Sequence, residues 1–463
     1  MTSLISRKTL NQVAHVLGVD AVKADASFSQ VNIDTRTLRP GDLFIALQGP
    51  NFDGHQFIDQ AYEKDAAGAV VQQAINSDLP LLQVSDTHAA LGVIAKDFRR
   101  GFKYPLIGVT GSNGKTTVKE MLNAILSLQG SVLATKGNFN NDIGLPLTLC
   151  RLELEDRYAV IEMGANHPGE IAYLTGIAQP TIGLITNAGA AHLEGFGSVE
   201  GVAHAKGELF QNLDTNATAV INVDDHYAPL WKNMSSHCNT ILFSTKQSDV
   251  DFYASNIEMQ VNASQFLLHS PETQVEINLQ LAGTHNVLNA VAAAAAAWCA
   301  GATIEVIQQA LGSFSAYSGR LNVKQGWHGA TVIDDAYNAN PDSVRAGIDV
   351  LSRYSGQTIL VLGDMLEAGH ESESMHAQIG EYAQQLGINF LFAYGEQASI
   401  SAQAFGIQGK AFADQKLLCK SLEEIINSNT TVLVKGSHSM HMENVVARLC
   451  EEANGDIEVV ESE

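Results

Sequence analysis

The sequence predicts an α/β protein of three domains built on mostly parallel sheets, and three observations carry that expectation. Short apolar strands alternate with helical stretches along nearly the whole chain, the pattern of a parallel sheet covered by helices on both faces. One strand, Leu106 to Thr110, runs into a glycine-rich turn and opens a helix, LIGVTGSNGKTT over 106–117, a unit that wraps phosphate with backbone N–H groups and a helix N-terminus. The 463 residues, 45% apolar and 17% charged, suit roughly three domains of about 150 residues with well-developed cores.

From the start to about residue 100, short strands alternate with helices. LFIALQG (43–49) and AGAVVQQ (67–73) read as strands, and GHQFIDQAYEKDA (54–66) as an amphipathic helix with Phe57, Ile58, Ala61 and Tyr62 on one face. DTRTLRPGD (34–42) is a turn-rich loop with two arginines, and FRRGFKYP (98–105) a basic linker closed by proline. From 106 to about 315, strands are expected at RYAVIEM (157–163), TIGLIT (181–186), ATAVINV (217–223) and TILFS (240–244). Residues 251–282 alternate instead and predict a small antiparallel insertion with a turn at SPET. The alanine-rich run Val287 to Cys299 reads as a buried helix, too short to span a bilayer. After Arg320 a second α/β run follows, with strands at TVIDD (331–335), TILVLG (358–363), NFLFAYG (389–395) and TVLVKGS (431–437). PDSVRAGIDVLSRY (341–354) is a helix with proline at its start.

The net charge of −23 argues against nonspecific nucleic-acid binding. Any site for an anionic ligand must build positive potential locally. The acidic tail, 451–463, is expected to be a solvated end. Five scattered cysteines with no Cys-x-x-Cys pair fit a reducing cytoplasm rather than a disulfide framework or zinc knuckle. The first residues, MTSLISRKTLNQVAHVLG, lack the apolar core of a secretory signal.

The glycine turn points to a nucleoside triphosphate. Gly111, Ser112, Asn113 and Gly114 form it, Lys115 supplies a point charge, Thr116 a hydroxyl suited to Mg²⁺, and Thr117 continues the helix. Its glycines fall at 108, 111 and 114, and Val109 stands where G-x-x-x-x-G-K-[ST] has glycine. The alternative is a Rossmann-like turn with an incidental lysine. Glu162 ends an apolar strand, where ligand crevices of open α/β sheets lie, and is a candidate Mg²⁺ ligand or a capping carboxylate. ITNAGAAHLEGFGS (185–198) repeats that geometry and presents His192 and Glu194, with His192 either a metal ligand or structural. VAHAKGELF (202–210) is a helix whose pattern favours a solvated face for Lys206 and Glu208. LAGTHNVLNA (281–290) places His285, Asn286 and Asn289 around a helix start, where the asparagines either read an adenine edge or cap. Arg320, in SGRLN, suits a terminal phosphate. Three strand ends follow: IDDAYNANPDS with Asp335, Asn338 and Asn340, LGDMLEAG with Asp364 and Glu367, and VKGSHSMHMEN with Lys435, Gly436 and Ser437. They imply a second crevice. His438 and His441 invite a zinc reading, but zinc needs three or four ligands.

Together GVTGSNGKTT, KGNFNNDIGLPLTL (136–149), EMGANHPGEI, NAGAAHLEGFGS, DDAYNANPDS, LGDMLEAG and VKGSHSMHME resemble the Mur ligase family of ATP-dependent amide-forming enzymes, in order and over nearly the whole chain. All but the first resemble its D-alanyl-D-alanine-adding branch. The resemblance implies an N-terminal UDP-binding domain (1–100), a central P-loop ATPase (101–315) and a C-terminal Rossmann-like domain (316–463). It implies ATP, two Mg²⁺ ions, UDP-N-acetylmuramoyl-tripeptide and D-alanyl-D-alanine as ligands, and a monomer in the cytoplasm that helps build the peptidoglycan precursor. By the same resemblance Thr116 and Glu162 bind one Mg²⁺ and His192 the second, and Lys206 is carbamylated. Asn286 and Asn289 contact adenine, while Arg320 and Asp335 close onto the nucleotide. Lys115, His192, Lys206, Arg320 and Asp335 thus make up the catalytic set. Asp34 and Arg36 sit in the loop that recognises uridine. Asn138, Asn140 and Asn141 lie near the UDP-sugar peptide, and Asn338 and Asn340 are further substrate candidates. The family carries arginine at one or both of the positions held here by His438 and His441, which leaves open how a dipeptide carboxylate is gripped; histidine makes such a contact weaker and pH-sensitive.

Rival readings share parts of this pattern. Folylpolyglutamate synthase, or a ligase adding an earlier peptide residue, has the same core, but DDAYNANPDS and LGDMLEAG favour the dipeptide adder. A P-loop GTPase or kinase switch is a second rival; a GTPase would carry N-K-x-D, which the sequence lacks. A non-catalytic UDP-sugar module would not need the set Lys115, Glu162, His192 and Lys206.

Overall fold

The computed structural model describes residues 8–315, 317, 319–366 and 369–451. Glu367, Ser318, residues 1–7 and the acidic tail from 452 lie outside the described residues. The N-terminal sheet contains β1 (Val31–Asn32), β2 (Leu43–Ile45), β5 (Gly68–Val71) and β6 (Leu81–Gln83), all parallel in the order β1-β2-β5-β6, and β3 (Gln48–Gly49) and β4 (Phe52–Asp53) form a small antiparallel ribbon. The helix expected over 54–66 is a 3₁₀ turn, Gly54–Phe57, followed by the short helix Ile58–Glu63. Ile58 and Ala61, three apart, are buried, whereas Tyr62 is 50% exposed. The tighter turn ahead of the helix shifts its phase, so the expected four-residue face shrinks.

Residues 98–105 are not a loose linker. The helix Thr87–Gly101 runs through Phe98 and Arg99, and both are buried. The Arg99 guanidinium donates to the carbonyls of Ala178 (2.7 Å), Gln179 (2.8 Å) and Phe102 (2.6 Å). Ala178 ends the helix Glu170–Ala178, so a buried cation meets carbonyls that a helix terminus leaves unpaired. The first domain is bolted to the second at this joint.

The central sheet has nine strands: β7 (Leu106–Thr110), β8 (Ser131–Ala134), β9 (Asp156–Glu162), β10 (Ile182–Ile185), β11 (Thr218–Asn222), β12 (Asn239–Ser244), β13 (Phe252–Met259), β14 (Ser264–His269) and β15 (Gln274–Leu279). Their order is β15-β14-β13-β12-β11-β10-β7-β9-β8. β13 pairs parallel with β12 before the chain turns back twice. The antiparallel stretch therefore continues the main sheet rather than forming a separate insertion. β8 escapes sequence reading because it is a half-exposed edge strand of four residues. The helix Thr284–Cys299 buries Ala290 to Ala297 and packs on the helix Lys115–Ser127, the small side chains allowing close approach. Among the described residues no helix is long and apolar enough to cross a membrane.

The C-terminal sheet holds β16 (Asn322–Gln325), β17 (Thr331–Asp335), β18 (Gln357–Gly363), β19 (Phe390–Tyr394), β20 (Gly409–Phe412) and β21 (Thr430–Lys435), ordered β16-β17-β21-β18-β19-β20. β16 is antiparallel and the rest are parallel. β21 inserts between β17 and β18, so the carboxyl ends of the three strands stand side by side. That is the switch point where open α/β sheets bind ligands.

Candidate active site

β7 lies between β9 and β10, so the loops after all three strands converge on Gly111–Thr117. Gly111 has φ 145°, and a Cβ there would strike the Thr186 hydroxyl. Gly114 has φ 82°, and a Cβ there would strike the Asn289 amide. These two positions require glycine. Gly108 does not belong to the turn: it lies within β7, against Met163 and Pro180, which accounts for the odd glycine spacing. The turn is held by the chain that leaves β10. Thr186 Oγ1 donates to the Asn113 carbonyl (2.6 Å), Asn113 N–H to Asn187 Oδ1 (2.9 Å), and Ser112 N–H to the Asn187 carbonyl (3.0 Å). Lys115 folds back over the turn, donating to the Gly111 carbonyl at 2.6 Å. Thr186 and Asn187 were not singled out from sequence; their only signal is their place at a strand end.

Glu162 ends β9 and is 3% exposed. Its carboxylate accepts from Thr116 Oγ1 (3.1 Å) and from Asn140 Nδ2 (2.8 Å). Its backbone N–H donates to Thr135 Oγ1, whose residue in turn offers its carbonyl to the buried Lys119 ammonium at 2.9 Å. A phosphate-side cavity of about 180 Å³ is lined by the loop, Asn140, Asn141, Glu162, His192, Arg320, Tyr337, Asn338 and Asn340, among others. His192 has φ 54° and opens the short helix Leu193–Phe196. Burial first, then Lys115 and Lys206, push its pKa down to about 4, so it is neutral at pH 7 with a lone pair to give. Lys206 is 1% exposed, contrary to the solvated face its pattern favours. Its ammonium lies 3.5 Å from the Ala165 carbonyl and 5.5 Å from the Phe196 ring centre. The helix carrying it is amphipathic, but both flanks are covered. Glu208 on the same helix accepts from the Gly169 and Ala172 N–H groups at the start of helix Glu170–Ala178.

A second cavity of about 300 Å³ lies on the other side of the loop, lined by Asn113, Thr117, Asn286, Asn289, Arg320, Asp335, Asp342 and Lys435 among others. Asn286 and Asn289 are buried there; Asn286 spends its NH₂ on the Ala282 carbonyl (2.7 Å), and Asn289 leans on Asn286 Oδ1 (3.4 Å). Asp335, at the end of β17, is paired with the buried Lys435 ammonium at 2.6 Å. Arg320 lines both cavities, and its guanidinium carbon lies 4.4 Å from the Tyr337 ring centroid. Asn340 caps the helix Pro341–Leu351, accepting from Ser343 N–H, and donates to Asn113 Oδ1 at 2.8 Å. The expected substrate residues Asn140, Asn141, Asn338 and Asn340 all line the phosphate-side cavity and also make contacts within the protein. Asn340 bridges two domains, Asn140 orients Glu162, and Asn141 caps a helix through Gly144 N–H at 2.8 Å. Asn338 offers its carbonyl to Lys435 at 2.9 Å.

Asn138 is exposed and lines neither cavity, and Asp34 and Arg36 lie in the N-terminal domain away from both. Those two pair with each other (2.7 Å), and Arg36 beside Asp34 holds that carboxyl below its usual range. The zinc reading of His438 and His441 fails: their ring centroids are 6.4 Å apart, and no group of three or more His, Cys, Asp or Glu gathers for a metal among the described residues.

Residues 27–99 match the Mur ligase family catalytic domain, 109–297 the Mur ligase middle domain, and 319–438 the Mur ligase glutamate ligase domain. The UDP-N-acetylmuramoyl-tripeptide–D-alanyl-D-alanine ligase of Escherichia coli (strain K12) is 43% identical over 96% of this chain and 98% of its own. A crystal structure of MurF from Acinetobacter baumannii superposes with a TM-score of 0.90 at 34% identity, covering 97% of this chain and all of that one. MurF ligase from Thermotoga maritima in complex with ADP has a TM-score of 0.82 at 28% identity, covering 92% of this chain and 98% of that one.

Proposed function

This chain belongs to the Mur ligase family, and from that premise we propose that it joins D-alanyl-D-alanine to UDP-N-acetylmuramoyl-tripeptide, converting ATP to ADP and phosphate, in peptidoglycan precursor synthesis. The observation that carries this reading is the meeting of the central phosphate loop with Arg320, just ahead of the C-terminal sheet, across one pair of cavities. An ATPase switch needs no second sheet at that face; a ligase needs one, to bring an amine to an activated acid and keep water away.

The chemistry follows from charge. The tripeptide carboxylate attacks the γ-phosphoryl group, ADP departs, and an acyl phosphate forms. The dipeptide amine then attacks the acyl carbon, and the tetrahedral intermediate collapses to amide and phosphate. A carboxylate approaching a triphosphate must be shielded, and Lys115 of the loop and Arg320, which share the phosphate-side cavity, supply the positive charge. Two unit charges ~4 Å apart interact by roughly 4 kcal/mol at an effective dielectric of ~20, so each cation matters.

The Mg²⁺ donors fit. Glu162 is buried on a cavity wall, and its two oxygens accept from uncharged donors; such a carboxylate suits a hard cation, which takes one or two carboxylates and completes its shell with phosphate and water. Thr116 and Glu162 would hold one ion and the neutral His192 a second, and bound there they would offset triphosphate charge. The burial of Lys206 beside His192 supports its carbamylation, which replaces a buried cation with a carboxylate. The N-terminal sheet, with Asp34 and Arg36, is assigned the UDP moiety, with Asn138 nearer the sugar peptide. Domain limits of 1–100, 101–315 and 316–463, a monomeric state and a cytoplasmic site complete the proposal.

The decisive experiment is phosphate release with ATP and UDP-N-acetylmuramoyl-tripeptide, with and without D-alanyl-D-alanine. Sustained release is expected only with the dipeptide. No release with all three substrates would overturn the assignment.

A further inference from the structure

We propose that Tyr337 is a positioning residue that aims the Arg320 guanidinium at the transferred phosphoryl group. The proposal rests on the ligase reading above and deepens it. The backbone around Arg320 is pinned to the end of β17. Gly319 N–H donates to Asp334 Oδ2 (3.3 Å), Leu321 N–H to Asp335 Oδ1 (3.2 Å), and Tyr337 N–H to the Gly319 carbonyl (3.3 Å). Gly319 has φ 73°, and a Cβ there would sit 3.2 Å from the Tyr337 Cβ, so the two strands of chain press together. Asp335 is itself fixed by Lys435, which also ties down the Asn338 carbonyl in the same loop. Backbone pinning does not settle where a long side chain points. Arg320 borders both the base-side and the phosphate-side cavity, whereas Tyr337 borders only the phosphate side. The ring, 4.4 Å from the guanidinium carbon, therefore draws the charge toward the phosphate end. The His438 ring packs 5.5 Å from the same tyrosine and restricts its rotation.

The ring does this and the hydroxyl is not needed, which sets the test. Tyr337→Phe is expected to keep kcat within about 2-fold of the parent, while Tyr337→Leu lowers it about 5- to 30-fold. In an Arg320→Ala background Tyr337→Leu should add nothing. By calorimetry, Tyr337→Leu should weaken a non-hydrolysable ATP analogue several-fold, about 3- to 10-fold, and leave ADP affinity unchanged. Circular dichroism reports folding, and Tyr337→Ile replaces the leucine variant if that one does not fold. Equal activity of the leucine variant and the parent, an equal loss in both backgrounds, a phenylalanine variant as slow as leucine, or equal weakening of ADP and the analogue would each overturn the proposal. A parent inactive with all three substrates would overturn the ligase reading, and this proposal with it; an active parent with any of the other four results overturns this proposal alone.

Discussion

Lys115 opens the P-loop helix, is only half-buried and folds back onto the Gly111 carbonyl. Lys115→Ala is expected to leave the fold intact and lower kcat by about 10²- to 10³-fold, the usual effect of deleting one group that stabilises developing charge. Near-parental turnover in a folded variant would remove the loop from the mechanism. Lys206 is a different case, since its aliphatic stem is buried. Lys206→Ala should lose activity and regain part of it on addition of a short-chain carboxylic acid, which can enter the space and restore the carboxylate. If no concentration of acid raises the rate, the carbamate is wrong. Both lysines were legible as letters. Only the burial of Lys206 was hidden, because a helix face looks solvated until the neighbours that cover it are known.

At the scale of elements, the helix Ser372–Gln385 is tied to the end of β18 through His376. Its Nδ1–H donates to the Ser372 carbonyl (2.8 Å) and its Nε2 accepts from Met365 N–H (3.1 Å), a tautomer set by this network. Burial lowers the pKa of this imidazole. The unfolded chain takes up the proton near pH 6.5 and the folded one only below that, so the stability tied to neutral His376 is present above about pH 6.5 and is lost as pH falls beneath it. The urea midpoint should drop between pH 7.5 and 5.5, and less so in His376→Gln. His192 and His285, also depressed by burial, add to the parent slope and stay in the variant, so the difference between the two slopes is the measure. Equal slopes would dismiss His376. Strands buried on both faces, such as β9, β10 and β21, were evident from their apolar runs, because that pattern is local. The edges β8, β16 and β20 were not: short and partly exposed, they carry little apolar signal.

Across the whole molecule, two contacts join the C-terminal domain to the central one along a single helix. Asn340 caps the start of Pro341–Leu351 and reaches Asn113 in the phosphate loop, and past its other end the Tyr354 hydroxyl donates to Asn262 in the turn between β13 and β14. Asn340→Ala should cost about 1 kcal/mol through the lost cap and also raise the KM for ATP, because the loop loses a partner. A shift in melting temperature with an unchanged KM would confine Asn340 to capping. The sequence by itself determined the α/β class, the run of buried strands, the phosphate loop and the family, since each rests on residues within a few positions of one another. The tertiary structure alone decided that Asn113 and Asn340, 227 positions apart, share a hydrogen bond, that Asn140 serves Glu162, and that Tyr337 stacks on Arg320. Such pairings depend on how sheets dock and where loops cross, and no local periodicity encodes the distance between two points far apart on the chain.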